Sequence, residues 1–325
     1  MSLFIGRRIA VGIASELTRG VGVAPAYWLN AKSFSFTDVP ERALSEAGFG
    51  GIWGGDQSPK TLERSEGEVE FELDDQSFGA ILKSVFGTVN SAVSDTSAYK
   101  HTYTLQNDNQ HDSMTITTID PIGQLQFELG MIDTFEINIV PSEIISGTVN
   151  FIAKGSSDTS GHSATYGATK KFLGRYLQFK VATNTSGLTA ASKVSLKSLT
   201  LRFEKNAEVN ATLSTVQPED IVNRRFNVTG EVTLDYEDRT WLNFVKDGSY
   251  RAIRIGLIHE DVAGSTTQPY EFRLDLSKCS IEGFDPDFAF DDIVTQSFTF
   301  NALYDAGGNN NVVNDCYLIN QVASY

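Results

Sequence analysis

The segment Gly67–Gly87, GEVEFELDDQSFGAILKSVFG, reads as one strand that runs into one helix. Val69, Phe71 and Leu73 alternate with Glu68, Glu70 and Glu72, the period of two expected of a strand buried on one face. Asp74 and Asp75 interrupt the alternation, and carboxylates there can accept the orphan N–H groups of a helix start. Phe78, Ile81, Leu82, Val85 and Phe86 follow at i, i+3, i+4, i+7 and i+8, one apolar stripe that would pack the helix on the core. Gly87 stands where a helix end wants a left-handed residue.

The unit returns at Gly230–Gly248, GEVTLDYEDRTWLNFVKDG, and Gly67–Lys83 aligns without a gap on Gly230–Lys246. Val232, Leu234 and Tyr236 repeat the inward face, and Trp241, Phe244 and Val245 repeat the packing stripe. A hairpin pattern around Pro141-Ser142-Glu143 returns too, Ile132–Phe151 aligning without a gap on Ile281–Phe300. SLTLRF at Ser198–Phe203 echoes SFSF at Ser33–Phe36, Leu173-Gly174-Arg175 echoes Ile5-Gly6-Arg7, and Tyr250–Leu257 echoes Tyr99–Leu105. Blocks recurring in one order predict a duplicated domain. The expected division is 1–155, a Gly/Ser/Thr-rich linker over 156–171, a second domain over 172–305 and a tail over 306–325.

Composition narrows the class. A chain of 325 residues, 41% hydrophobic, can hold two packed cores, and its 21 Phe and 11 Tyr favour strands. The net charge of −15 argues against a protein that grips nucleic-acid phosphates, but not against one that lets DNA pass unheld. Two cysteines, Cys279 and Cys316, are too few for a disulfide framework. Neither a bilayer-spanning run nor a signal peptide is read, because Glu16 interrupts the short apolar start. The expectation is a cytosolic chain with no membrane partner.

Between the short strand at Ser33–Phe36 and the signature strand lies Asp38–Arg64, polar and glycine-rich, read as a long functional loop. Trp53 in it is an exposed-aromatic candidate, with Phe49 and Asp56 as its neighbours. The tail closes on a weak strand, VVNDCYLIN, read either as disordered or as able to add to a neighbour's sheet edge.

Catalytic signatures are missing: there is no G-x-S-x-G, H-E-x-x-H or Walker loop, and the four histidines are isolated from one another. Asp285, Asp287, Asp291 and Asp292 are the densest acidic group, but their spacing does not fit an EF-hand and reads better as a solvated hairpin end. No enzyme, cofactor or metal is expected. The outward faces of the two signature strands are more informative, carrying Glu68, Glu70, Glu72, Glu231 and Asp235. Alternating glutamates repel one another and lower strand propensity, which either an ordinary wet face or a functional demand for charge would tolerate.

Taken in order, VGIASELTRGVGVAPAYWL (Val11–Leu29), SFSFTD (Ser33–Asp38), SEGEVEFELDDQSFGAILKSVFG (Ser65–Gly87) and IDTFEINIVPSEIISGTVNFIAKG (Ile132–Gly155) resemble the tail tube proteins of long-tailed, siphovirus-type bacteriophages. SLTLRFEKNAE and FNVTGEVTLDY are similar to that family's later blocks, so the resemblance spans most of residues 5–305. It implies mainly β domains, antiparallel sandwiches or partial barrels with one flanking helix each. It implies rings stacked into a virion tail tube, assembled in the host cytoplasm, with self, tail tip, tape-measure and tail-terminator proteins as partners. Double-stranded DNA would pass through the bore without specific binding. With two such domains per chain, a ring would need three chains and have pseudo-sixfold symmetry. The five acidic strand residues would then line the lumen, and the loop with Phe49, Trp53 and Asp56 would reach the next ring. Two alternatives stay open: a contractile or secretion-type tube, and a carbohydrate-binding sandwich using Trp28 and Trp53 as a stacking platform.

Overall fold

The computed structural model describes residues 3–48, 50–265, 267–288, 290, 293–308 and 310–325. The protein is mainly β, built from antiparallel sheets that form no closed barrel, with two α-helices. The first half carries β1 (Ala10–Ser15), β2 (Tyr27–Trp28), β3 (Ala31–Arg42) and β4 (Lys60–Glu72), then α1 (Ser77–Phe86). It continues with β5 (Gly87–Asp95), β6 (Ala98–Leu105), β7 (Met114–Ile119), β8 (Gln124–Ile139), β9 (Ser146–Lys154) and β10 (Ser157–Thr159). The second half carries β11 (Leu177–Ala182), β12 (Lys193–Val194), β13 (Ser198–Glu204), β14 (Ala207–Asn210), β15 (Asp220–Asn223) and β16 (Asn227–Asp235). After α2 (Thr240–Asp247) come β17 (Arg251–Val262), β18 (Pro269–Asp287), β19 (Thr295–Ala302) and β20 (Val313–Asn320).

The signature segment behaves as its pattern requires. Val69, Phe71 and Leu73 are fully buried while Glu68 is exposed. Asp74 caps α1, its Oδ1 accepting the N–H groups of Gln76 and Ser77, both at 2.8 Å. Asp75 instead accepts the N–H of Lys170. Gly87 closes the helix with φ of 88°. Phe78, Ile81, Leu82 and Val85 are wholly buried.

Pairing follows one path in each half. In the first it runs β1–β7–β8–β9–β4–β3, and in the second β11–β17–β18–β19–β16–β13. Registers correspond as well: Gly67 faces Phe151 and Gly230 faces Phe300, while Phe36 faces Gly67 and Leu201 faces Gly230. Ile132 faces Phe151 and Ile281 faces Phe300, each next to a bulge. Among the described residues the β5–β6 hairpin has no counterpart in the second half. β17 therefore occupies the place of β7 rather than that of Tyr99–Leu105, so the echo of Tyr250–Leu257 with that segment does not hold in the sheet.

Three further expectations change. Asp38–Arg64 is not a loop throughout: β3 and β4 pair from Ala31↔Phe71 to Arg42↔Lys60, leaving 43–59 as the tip. Both faces of that hairpin are polar where it leaves the core, so no hydrophobic period marks it. Arg64, paired with Glu41 and Glu66, braces it instead. Residues 156–171 do not hang free, since β10 pairs with β8 and Lys171 bridges to Asp74. Nor is the tail loose, because β20 lies between β18 and β6 of its own chain.

The halves join at β8·β13, from Leu199↔Ile139 to Glu204↔Thr134. Stacked rings cross this seam, Phe71 to Phe135 at 6.4 Å and Phe135 to Phe203 at 5.9 Å. Phe78 touches both Phe135 and Phe272, so α1 is roofed by the second half. Just past β13, the buried Lys205 donates through Nζ to the Ser84 carbonyl at 2.5 Å, at the C-terminal end of α1. Tyr325 adds a latch. The Tyr325 hydroxyl donates to the Gln76 carbonyl at 2.8 Å, and its ring lies where a Cβ on Gly79 would stand, 2.1 Å from the nearest ring atom.

Two outcomes follow. Tyr325→Ala should lower stability to denaturant by about 2–5 kcal/mol, the range for truncating a large packed side chain to Ala; an unchanged midpoint would show the latch to be idle. Burial, helped by the nearby Arg19 charge, pushes Lys205 down to about 7 from 10.5. The unfolded chain then holds that proton through the window in which the folded chain has lost it, so stability rises with pH from about 7 to about 10. Lys205→Met should flatten this rise in denaturation curves taken across that range; parallel wild-type and variant slopes would contradict the assignment.

Candidate functional site: the acidic sheet face

Because side chains alternate along a strand, the eight-strand run β3–β4–β9–β8–β13–β16–β19–β18 has one apolar face and one polar face. The apolar face is the core, with Val69, Phe71, Val149, Phe135, Leu201, Val232 and Phe298. The polar face collects the carboxylates. Register sets them side by side: Glu68 lies between Ser35 and Asn150, and Glu231 between Thr200 and Thr299. Glu70 pairs with Ser33 and Thr148, and Asp235 with Thr295. All five predicted acidic residues therefore share one surface.

The five are not electrically alike. Lys32 meets Glu70 at 2.5 Å, Lys171 bonds Glu72, and Lys197 reaches Asp235 at 3.3 Å. These are half-exposed ion pairs, each contributing roughly 0–1 kcal/mol. The Glu70 partner holds the Lys32 ammonium above its usual range. Glu68 and Glu231 are exposed and make no ion pair among the described residues. They hold corresponding positions in the two halves, so each half presents one bare carboxylate in a setting of Ser, Thr and Asn.

Sequence reasoning missed part of this surface. Glu136 on β8 faces Thr148 and Arg202, and Glu282, Asp285 and Asp287 on β18 face Thr299, Ser297 and Thr295. The signal was present, since Glu136 aligns on Asp285 in the repeated hairpin. Its period is broken by a bulge in each copy, which hides the shared face. Arg202, near Glu204 at 3.0 Å and Glu136 at 3.9 Å, is the cation at the seam.

The remaining candidates are scattered. Trp241 is buried and stacks on Phe298 at 4.3 Å, whereas Phe244 and Val245 are only half-buried. Trp53 is 72% exposed and Asp56 is exposed, both in the 43–59 tip; Phe49 lies outside the described residues. Trp28 packs over Gly12 within β2 and does not stand free as a stacking platform. Asp285 and Asp287 lie on β18, and Asp291 and Asp292 fall outside the described residues. Among the described residues no three His, Cys, Asp or Glu side chains gather as metal ligands. His101 is buried between Ser91 Oγ at 2.7 Å and Asn320 Oδ1 at 2.9 Å, and burial lowers its pKa.

What the arrangement supplies is a broad, regular and predominantly acidic sheet face, on which Lys32, Lys171, Lys197 and Arg202 offset part of the charge. No curated protein matches the chain. The family model described as phage tail tube protein matches residues 6–302, and the chain belongs to that family, as a structural component of the virion tail.

Proposed function

We propose that three chains close into a ring with pseudo-sixfold symmetry, that rings stack into the tail tube, and that the acidic sheet face lines its bore. The observation that carries this reading is the repeated strand path: two six-strand units, joined edge to edge at β8·β13, present one continuous acidic face. Each unit is then one tube domain, the first within 1–155 and the second within 172–305. A sheet continued from chain to chain has no free edge once it closes, which gives the oligomer a physical reason.

A negative wall suits a conduit for double-stranded DNA. Phosphates are repelled rather than bound, so the duplex slides without a sequence or a site to hold it. Screening confines the effect to about 8–10 Å in physiological salt, so the charge has to stand on the wall itself. Glu68 and Glu231, without cationic partners, are the strongest contributors, and Glu70, Glu72 and Asp235 are tempered by lysines. The tip between β3 and β4, whose Trp53 and Asp56 are exposed, would reach the next ring. Tail tip, tape-measure and tail-terminator proteins are the further partners of such a tube, made in the host cytoplasm for a siphovirus-type tail.

Mass determination with negative-stain microscopy at rising concentration should show three-chain rings or hollow tubes; hexamers of the full chain would contradict the ring stoichiometry. Glu68→Lys with Glu231→Lys should leave tubes intact and slow DNA release from assembled virions several-fold. Loss of assembly would make these residues structural, and an unchanged release rate would remove them from the bore. Glu68→Gln with Glu231→Gln should shift folding stability by less than about 0.5 kcal/mol, as surface changes do; a larger fall would reveal a packing role.

A further inference from the structure

The seam inside the chain has an unfilled counterpart at each end of the sheet. β13 adds to β8 along residues 134–139. The position of β13 is held in the first half by β3, whose only strand partner among the described residues is β4. The position of 134–139 is held in the second half by 283–288, of which Asp285–Asp287 pair, among the described residues, on one side alone, with β19. β17 and β20 take only the earlier part of β18, no further than Cys279. Two complementary edges are therefore open, one near each end of the eight-strand run.

Burial marks both as surfaces awaiting cover. Ile139 is 3% exposed under β13, whereas Phe288, its counterpart, is 59% exposed. Leu199 is wholly buried against β8, whereas Phe34, its counterpart, is half-buried. The helices show the same asymmetry. The stripe of α1 is sealed by Phe272 of the second half at 4.9 Å, while α2 leaves Phe244 and Val245 half-buried. Among the described residues, the strand and the helix cover that the second half gives to the first have no equivalent at the far end of the second half.

We propose that β3 of a second copy adds to the end of β18 and the residue after it, 283–288, antiparallel, in the register copied from the internal seam. Resting on the ring reading above, this assigns which edges meet and which residues face one another. Leu199↔Ile139, Thr200↔Asn138, Leu201↔Ile137 and Arg202↔Glu136 transfer to Phe34↔Phe288, Ser35↔Asp287, Phe36↔Pro286 and Thr37↔Asp285. The contact is heterologous, so every chain offers one edge and accepts the other, which excludes a two-fold dimer and gives a ring where the rotation closes. Pro286 offers an acceptor without a donor, a residue that edge strands tolerate and that discourages indiscriminate pairing. The seam in the ring is accordingly one hydrogen bond poorer there than the seam in the chain, where Ile137 stands.

Ser35 and Asp287 make the cleanest probe. Their internal counterparts, Thr200 and Asn138, form a non-hydrogen-bonded pair, since the bonded positions fall in step with the Lys205 N–H donating to Asp133. Cα atoms in such pairs lie about 4.5 Å apart, within disulfide range. Both residues are exposed, and the native Cys279 and Cys316 are buried thiols whose pKa burial raises, so they stay silent. The full-length single variants Ser35→Cys and Asp287→Cys are mixed, allowed to assemble and oxidised, with microscopy on the same sample. The expected result is a covalent dimer in the mixture and in neither variant alone, and a ladder up to the ring in the double variant. Ser35→Cys mixed with Asp285→Cys, two residues out of register, should give at least about tenfold less product. Rings or tubes without the Ser35–Asp287 product, or with more of the shifted one, overturn the register and leave the tube reading standing. Monomers at every concentration with no product overturn both.

Discussion

The structure depends on one backbone ladder, the antiparallel join of β13 to β8. Without it each half would present an unpaired edge rich in Leu, Ile and Phe, which is the arrangement that aggregates. With it, the Phe71–Phe135–Phe203 stack becomes continuous, α1 gains its roof and Lys205 can reach the open carbonyls at the end of α1. A buried ammonium on a helix C-terminus is electrostatically sensible, because those carbonyls carry partial negative charge. It also costs desolvation, which is why its proton is held so weakly. Arg19 makes a second tie between the halves, 2.6 Å from Asp220 and bonded to the carbonyls of His111 and Ile221.

The acidic face follows from the same ladder. Antiparallel register forces residues of one parity to one side on every strand, so a sheet that extends its apolar face also extends its polar one. Two small rows of carboxylates, unremarkable on separate strands, become one wall when eight strands are in register. Lysines border that wall at Glu70, Glu72 and Asp235, and the two corresponding positions Glu68 and Glu231 are left bare. Such a pattern keeps the sheet tolerable to its own repulsion while leaving net negative charge outward.

Elements with a strong local period were legible in the sequence. β4, α1 with its Asp74 cap and Gly87 stop, and the β8–β9 hairpin all announce themselves through spacing. The acidic residues of β4 and β16 were legible for the same reason. What was not legible has a common cause: it depends on partners far away in sequence or on faces with no apolar contrast. The outer arms of β3 and β4 are polar on both sides, so they read as loop. β20 is a short apolar strand whose neighbours, β6 and β18, cannot be named from its own residues. Lys205 reads as an ordinary surface lysine until β13 carries it against Ser84. Glu136 and Asp285 escaped because a bulge shifts the period in each copy of the hairpin.

In the proposed tube, two like units are joined within the chain as neighbouring chains would be joined to each other, and together they wall the bore with carboxylate. A side-chain-resolution cryo-electron-microscopy map of the assembled tube would decide this. The expected map has three chains per ring, six similar sheet units around the axis, and Glu68 and Glu231 pointing into the bore. Six chains per ring, or the acidic face turned outward with the helices inside, would contradict it.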